Sequence, residues 1–279
     1  MTLFLLRAYG DFVIAVNMAS QNRIVSKITL VASAHLEPLY QSLGIILPDN
    51  VVLQFHDFGI RHGIMGCFTD RYLLRISSLT ELARLRRYLR TQSTAGHYYL
   101  EQKKRSAWVS WYCGYPFEYV VSTEKVYASY ARFFSVPMTE LTALPFDVQQ
   151  KGIRVLVIPD ARQKRREIGS DIIMKIKAAF EMHGSLVQVA RFMKSTTVEN
   201  GDTGYRNFTE LVALIRSADL VIGGDSMPIH VAQLFRKPHY ILYPSYVKDQ
   251  FFTLFALQHQ TYFSFEDLYA RSSFFPYEN

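Results

Sequence analysis

The sequence predicts an α/β protein of two Rossmann-like domains, each built on a parallel sheet. Three observations lead there. Short apolar runs alternate with stretches of helical spacing, the signature of βαβ units. That alternation occurs twice along the chain, and a proline-containing stretch at 136–147 separates the two halves. At 279 residues the chain is long enough for two domains of ordinary size, expected at 1–147 and 148–279.

In the first half, residues 3–6 (LFLL) form an apolar β-type run, followed by Arg7-Ala8-Tyr9-Gly10-Asp11 and a buried helix over 12–19. Strands follow at 27–32 (KITLVA) and 51–55 (VVLQF), with a helix over 36–43 between them. Over 78–90 the leucines Leu79, Leu82 and Leu85 mark one helical face, with Arg84, Arg87 and Arg90 largely off it. Residues 94–118 carry no clear pattern, and 124–134 reads as a helix.

The second half opens with a strand at 155–158. A helix over 167–183 has apolar spacing at Ile168, Ile172, Ile176 and Phe180, and a strand follows at 186–192. A polar loop over 194–207 carries Gly201 and Gly204 and leads into a helix at 208–217. Residues 218–244 then read as a buried strand (220–222), a tight turn at Gly223 and Gly224, a helix opened by Asp225, Ser226 and Pro228, and a strand at 240–243. The aromatic-rich tail, 251–275, is expected to be helical in part.

Composition narrows the class. With 49% hydrophobic and 20% charged residues the chain has material for a large core, and 14% aromatic content is high. Two cysteines, Cys67 and Cys113, fit a reducing compartment better than a disulfide framework, and they show no metal-type spacing. The run at 3–6 is too short for a signal-peptide core, and no apolar run has transmembrane length, so a cytosolic chain is expected. The net charge of +7 points to an anionic partner. Basic residues cluster at 84–90, 103–105 and 162–166, without an RNA- or DNA-binding signature around them, so nucleic acid is not expected.

The residues with chemistry sit where strands end. A glycine turn feeding a helix N-terminus at the carboxyl end of a parallel strand suits a phosphorylated ligand. Gly224, Asp225 and Ser226 are placed for that, with His230 in the first helical turn; a plain cap with an ordinary helical histidine is the other reading. Asp11, after Gly10, falls at the start of the following helix, where an N-cap is the plain reading.

A resemblance bears on both. Asp225-Ser226-Met227-Pro228-Ile229-His230-Val231-Ala232 resembles the D-[ST]-G-x-x-H-x-A signature of the bacterial ADP-heptose:lipopolysaccharide heptosyltransferases, glycosyltransferase family 9 with a GT-B fold. Phe208-Thr209-Glu210-Leu211 and Ala218-Asp219-Leu220-Val221 before it agree, as do Lys237-Pro238 and Leu242-Tyr243-Pro244 after it. Met227 stands where the family has glycine. The segment LLRAYGDFVIAVNMA resembles the family's R-x-x-x-[GA]-D-x-[VIL], whose aspartate is assigned as general base. More loosely, Pro159-Asp160-Ala161-Arg162-Gln163-Lys164-Arg165-Arg166-Glu167 resembles its P-G-A-x-x-x-x-K-x-W loop, with Asp160 in place of glycine.

The resemblance implies an inverting, metal-independent transfer between domains whose sheets face across a central cleft. The donor is a nucleotide sugar, an ADP-sugar first, and the acceptor a phosphorylated glycolipid or glycan at the inner face of the cytoplasmic membrane. It implies Asp11 as base, with Lys164, Arg166, Gly224, Asp225, Ser226, Met227 and His230 on the donor. On the acceptor side it leaves Arg7, His56, Arg61, Arg84 and Arg87, argued from charge and position. Glu199 and Asp202 are candidates for the ribose hydroxyls. No D-x-D element is present, and neither metal nor cofactor is expected. The alternatives are a transferase for another nucleotide sugar and a non-catalytic relative that binds nucleotide sugar or glycan, which Met227 and the irregular loop keep open.

Overall fold

The apolar runs close against one another as parallel strands, the pairing that helical crossovers favour. A computed structural model describes residues 1–6, 8–58, 76–92, 96–102, 109–121, 126–137, 151–161, 166–193, 202–224, 226–243, 262–264 and 270. The chain divides into two compact units, Met1–Pro137 and Met138–Asn279.

In the first unit the strands are β1 (Thr2–Leu5), β2 (Ile28–Ser33), β3 (Val51–His56), β4 (Tyr98–Gln102) and β5 (Glu118–Val121). All are parallel, in the order β3-β2-β1-β4-β5. The helices are α1 (Tyr9–Ser20), α2 (Glu37–Leu43), α3 (Ile76–Thr91) and α4 (Val126–Phe133). Register sets the two faces: Phe4 aligns with Val31 and Leu100, while Leu5 aligns with Ala32 and Ala32 with Phe55. On the Phe4 face a core of Phe4, Val31, Leu100 and Phe117 receives Leu85 and Leu89 from α3 and Val109 and Cys113 from a helical turn. On the opposite face α1 lays Phe12 against Phe55.

In the second unit β6 (Arg154–Ile158), β7 (Leu186–Phe192), β8 (Thr203–Tyr205), β9 (Leu220–Gly224), β10 (His239–Tyr243) and β11 (Tyr262–Ser264) form a second parallel sheet. Its order is β11-β10-β9-β6-β7-β8. The helices are α5 (Ser170–Glu181), α6 (Phe208–Ser217) and α7 (Met227–Leu234). The apolar spacing expected for α5 is its buried face: Ile172, Ile176 and Phe180 pack on Val155, Val157, Val189, Leu220 and Ile222. Helix α6 starts where its sequence dictates. Asn207 Oδ1 accepts from the Glu210 N–H at 2.9 Å, and Glu210 reaches back to the Arg206 N–H at 2.7 Å, a reciprocal cap.

Several elements differ from expectation. Helix α1 begins at Tyr9, before the expected residue 12, because Gly10 is accommodated inside its first turn. The unassigned stretch 94–118 holds β4, whose Glu101 is 1% exposed. The expected loop over 194–207 contains β8, and the expected partly helical tail contains β11. Both short strands are defined by pairing, with β7 and β10 respectively.

Candidate active site

In an open α/β sheet, ligands bind beyond the carboxyl ends of strands where the strand order reverses. In the second unit that point lies between β6 and β9, since the chain leaves β6 for β7 on one side and returns to β9 on the other. Ile158, which ends β6, aligns with Gly223. The two stretches singled out in this half of the sequence therefore meet here.

Gly223 and Gly224 end β9 in extended conformation rather than forming the turn. Their lack of a side chain serves close approach. A Cβ on Gly224 would lie 2.9 Å from the Arg166 carbonyl oxygen, and one on Gly223 would lie 3.1 Å from the Ile229 side chain and 3.3 Å from the Ile158 carbonyl. The loop after β6 is closed by the Ile168 N–H donating to the Pro159 carbonyl at 3.1 Å. Arg166 is half-buried in it.

Ser226 is the N-cap residue of α7, but its hydroxyl donates to the Gly224 carbonyl at 3.3 Å and makes no capping bond. Met227 is the first helical residue and Pro228 the second. Met227 has no positive φ, so glycine is not needed there for conformation. His230 is buried, at 6% exposure, and lies near His239 on β10. The His239 Nδ1–H donates to the Lys237 carbonyl at 2.8 Å. Burial, helped by His230, pushes the His239 imidazole down to about 4 against that bond.

Beside this point is a charged cluster that the sequence reading missed. Asp160 Oδ2 accepts from the Phe192 N–H at 2.7 Å, and its Oδ1 lies 3.3 Å from Arg191 Nη1. Arg191 Nε donates to Asp202 Oδ2 at 2.8 Å. Asp202, a ribose candidate from sequence, is thus an ion-pair partner of Arg191. The one signal in the sequence was an arginine near the carboxyl end of a mostly apolar strand, LVQVARF.

The first unit has its own reversal, between β1 and β4. Asp11 lies just past β1, in the first turn of α1 and not at its N-cap, which is Ala8 and makes no side-chain capping bond. A carboxylate there is stabilised by the helix dipole. His56, the last residue of β3, stacks on Phe58 (5.6 Å, 21°) with the Tyr88 ring 4.6 Å away. Burial holds its pKa below the ordinary value, which favours the neutral imidazole. Arg84 pairs with Asp57 at 3.9 Å, and Arg84 and Arg87 are both exposed on α3.

The expected site residues Arg7, Arg61, Lys164 and Asp225, with Glu199, lie outside the described residues. Among the described residues no three His, Cys, Asp or Glu side chains form a metal-binding group. Among them, too, no helix is long and apolar enough to cross a membrane.

The architecture is that of the GT-B glycosyltransferases, a class of two Rossmann-like units. The chain superposes on a glycosyl transferase family 9 structure from Veillonella parvula DSM 2008 with a TM-score of 0.57 and 13% identity, covering 96% of this chain and 86% of that one. It is also similar to E. coli heptosyltransferase WaaC with ADP-2-deoxy-2-fluoro heptose (TM-score 0.53, 9% identity, 94% and 92% covered). The same enzyme with ADP gives a TM-score of 0.55 at 9% identity and the same coverage. At these identities the likeness is one of fold. No protein-family model matches the sequence, and no curated protein matches it.

Proposed function

We propose that the chain is an inverting glycosyltransferase that moves a heptose, or a related sugar, from an ADP-sugar to a lipopolysaccharide or other cell-surface glycan. One observation carries the reading: on a fold shared along nearly the whole chain with a family 9 structure, Gly224 at the end of β9 and Arg166 after β6 meet at the strand reversal of the second unit. The E. coli relative was solved with ADP and with an ADP-sugar analogue, which supports an adenosine diphosphate donor.

In the proposed reaction the acceptor hydroxyl oxygen attacks the anomeric carbon from the face opposite the diphosphate. The anomeric carbon–oxygen bond breaks, its electron pair leaves with the nucleoside diphosphate, and the hydroxyl proton passes to the Asp11 carboxylate. A sugar hydroxyl is a poor nucleophile near neutral pH, so a carboxylate in reach lowers the barrier. Arg166, with Lys164, offsets the charge gathering on the leaving diphosphate. Gly224, Asp225, Ser226, Met227 and His230 complete the donor side. Arg7, Arg61, Arg84 and Arg87 serve a phosphorylated acceptor, and their charge suits an anionic membrane surface. His56, favoured neutral, contributes a stacking face instead.

The test is calorimetric binding of ADP, UDP, GDP and CDP to wild type and to His230→Ala, followed by turnover of ADP-heptose. Selective ADP binding that weakens in the variant supports the reading. A wild-type protein that binds none of the four overturns it.

A further inference from the structure

Asp160 occupies a position with no ligand-facing role in the reading above, yet both of its carboxylate oxygens are held. It follows β6 directly, and both carboxylate oxygens are engaged by the end of β7: the Phe192 N–H at 2.7 Å and Arg191 at 3.3 Å. Arg191 is itself fixed from the other side by Asp202 at 2.8 Å. Burial works to lower the arginine's pKa, but the two carboxylates raise it overall, so its charge is secured by the clamp. One guanidinium against two carboxylates leaves no surplus positive charge for a phosphate.

The other flank of the loop is fixed by main chain. The Arg166 carbonyl sits so close to Gly224 that a Cβ there would lie 2.9 Å away. Since β6 lies between β7 and β9, Asp160 is held on the β7 side and the Arg166 carbonyl sits on the β9 side. A charge-assisted bond to a backbone N–H is short and directional, and small misplacements of a binding group are costly.

We propose that Asp160 is a positioning residue for the nucleotide site: through Arg191 and the Phe192 N–H it sets the loop after β6 so that Arg166 lies at the β6–β9 reversal. The inference rests on the donor reading given under Proposed function. The side chain does not touch the ligand.

The experiment measures ADP affinity and melting temperature for wild type, Asp160→Ala, Asp160→Asn, Arg191→Met and the Asp160→Ala/Arg191→Met double variant. Asp160→Ala is expected to weaken ADP binding by about 10-fold or more, roughly what losing one charge-assisted contact costs. Asp160→Asn, which keeps an acceptor for the Phe192 N–H, is expected to lose distinctly less. The double variant should be no worse than Asp160→Ala, because both substitutions open the same clamp. If Asp160→Ala does not fold, Asp160→Asn and Arg191→Met carry the test. Lower melting temperatures with wild-type ADP affinity would mean a structural role only and overturn the proposal while leaving the donor reading intact. Wild type that binds no nucleoside diphosphate overturns both.

Discussion

The carboxyl edges of the two sheets are built by different physics. Around β1 the contacts are rings: Phe4 meets Tyr88 (6.1 Å, 82°) and Phe117 (5.6 Å, 84°) edge-on, and His56 lies among Phe58 and Tyr88. Such packing gains chiefly from buried area, with edge-on geometry a smaller preference, so it tolerates small shifts of its neighbours. Around β6 and β9 the contacts are glycine against carbonyl and carboxylate against guanidinium, where a few tenths of an ångström decide the outcome. The first edge is a packed platform beneath the half-buried Asp11. The second is fitted by close backbone and charge contacts.

The largest expected effect tests what that platform carries. Asp11→Asn should lower transfer by about 10²- to 10⁴-fold, the usual worth of a general base, with ADP affinity unchanged. Turnover close to wild type would remove the first edge from the chemistry. Next, Phe4→Ala should cost about 3–5 kcal/mol in urea unfolding, as for a large ring removed from a packed core. A loss under about 1 kcal/mol would show that the rings repack around the gap.

On the second sheet, His239 gives a pH signature. Its folded pKa, about 4, lies below the unfolded value of 6.5, so the unfolded chain takes up the proton first as pH falls. The stability is present above pH 6.5 and lost between there and about 4. The loss is on the order of 3 kcal/mol. Denaturant titrations of wild type and His239→Gln across that range should diverge by this amount, and parallel curves would refute the burial argument. Gly224→Ala should cost about 1–3 kcal/mol, as overpacking does, and weaken ADP binding; a neutral result would mean the Arg166 loop yields freely. Smallest of all, Arg84→Ala should change stability by about 0.5 kcal/mol or less, since the Arg84–Asp57 pair is exposed and loose at 3.9 Å. A larger loss would give α3 a structural role beyond its leucine face.

Much of this was legible beforehand, for reasons that differ by element. Strand β7 and helix α6 have the limits the sequence predicts, because β7 is a mostly apolar run that follows the Gly184-Ser185 turn and α6 carries its own cap at Asn207 and Glu210. The leucine face of α3 and the isoleucine face of α5 were readable from spacing, and Leu85 and Ile172 are buried accordingly. Strand β4 was not, because YYLEQ places a glutamate where an inner strand ordinarily has an apolar residue. Strand β8 escaped for another reason. Thr203–Tyr205 carries no pattern of its own, and Gly204 is there because Met193 passes so close that a Cβ would overlap its sulfur.

The site divides the same way. Sequence located Gly224 at the end of β9 and Asp11, Ser226 and His230 at the helix starts that follow β1 and β9, since motif spacing and parallel-strand topology together place them. It also supplied roles that geometry modifies. Asp11 is not a cap, Ser226 occupies the cap position without capping, and Asp202 is held by Arg191.

By itself, then, the sequence determined the two α/β halves, their parallel strands and the stretches that end at each strand reversal, because hydrophobic periodicity and turn residues act locally. Only the tertiary structure decided that Gly224 abuts the Arg166 carbonyl, that His239 is buried beside His230, and that Asp160 and Asp202 grip one arginine. Those pairings join residues far apart in the chain, and no local propensity encodes a distance.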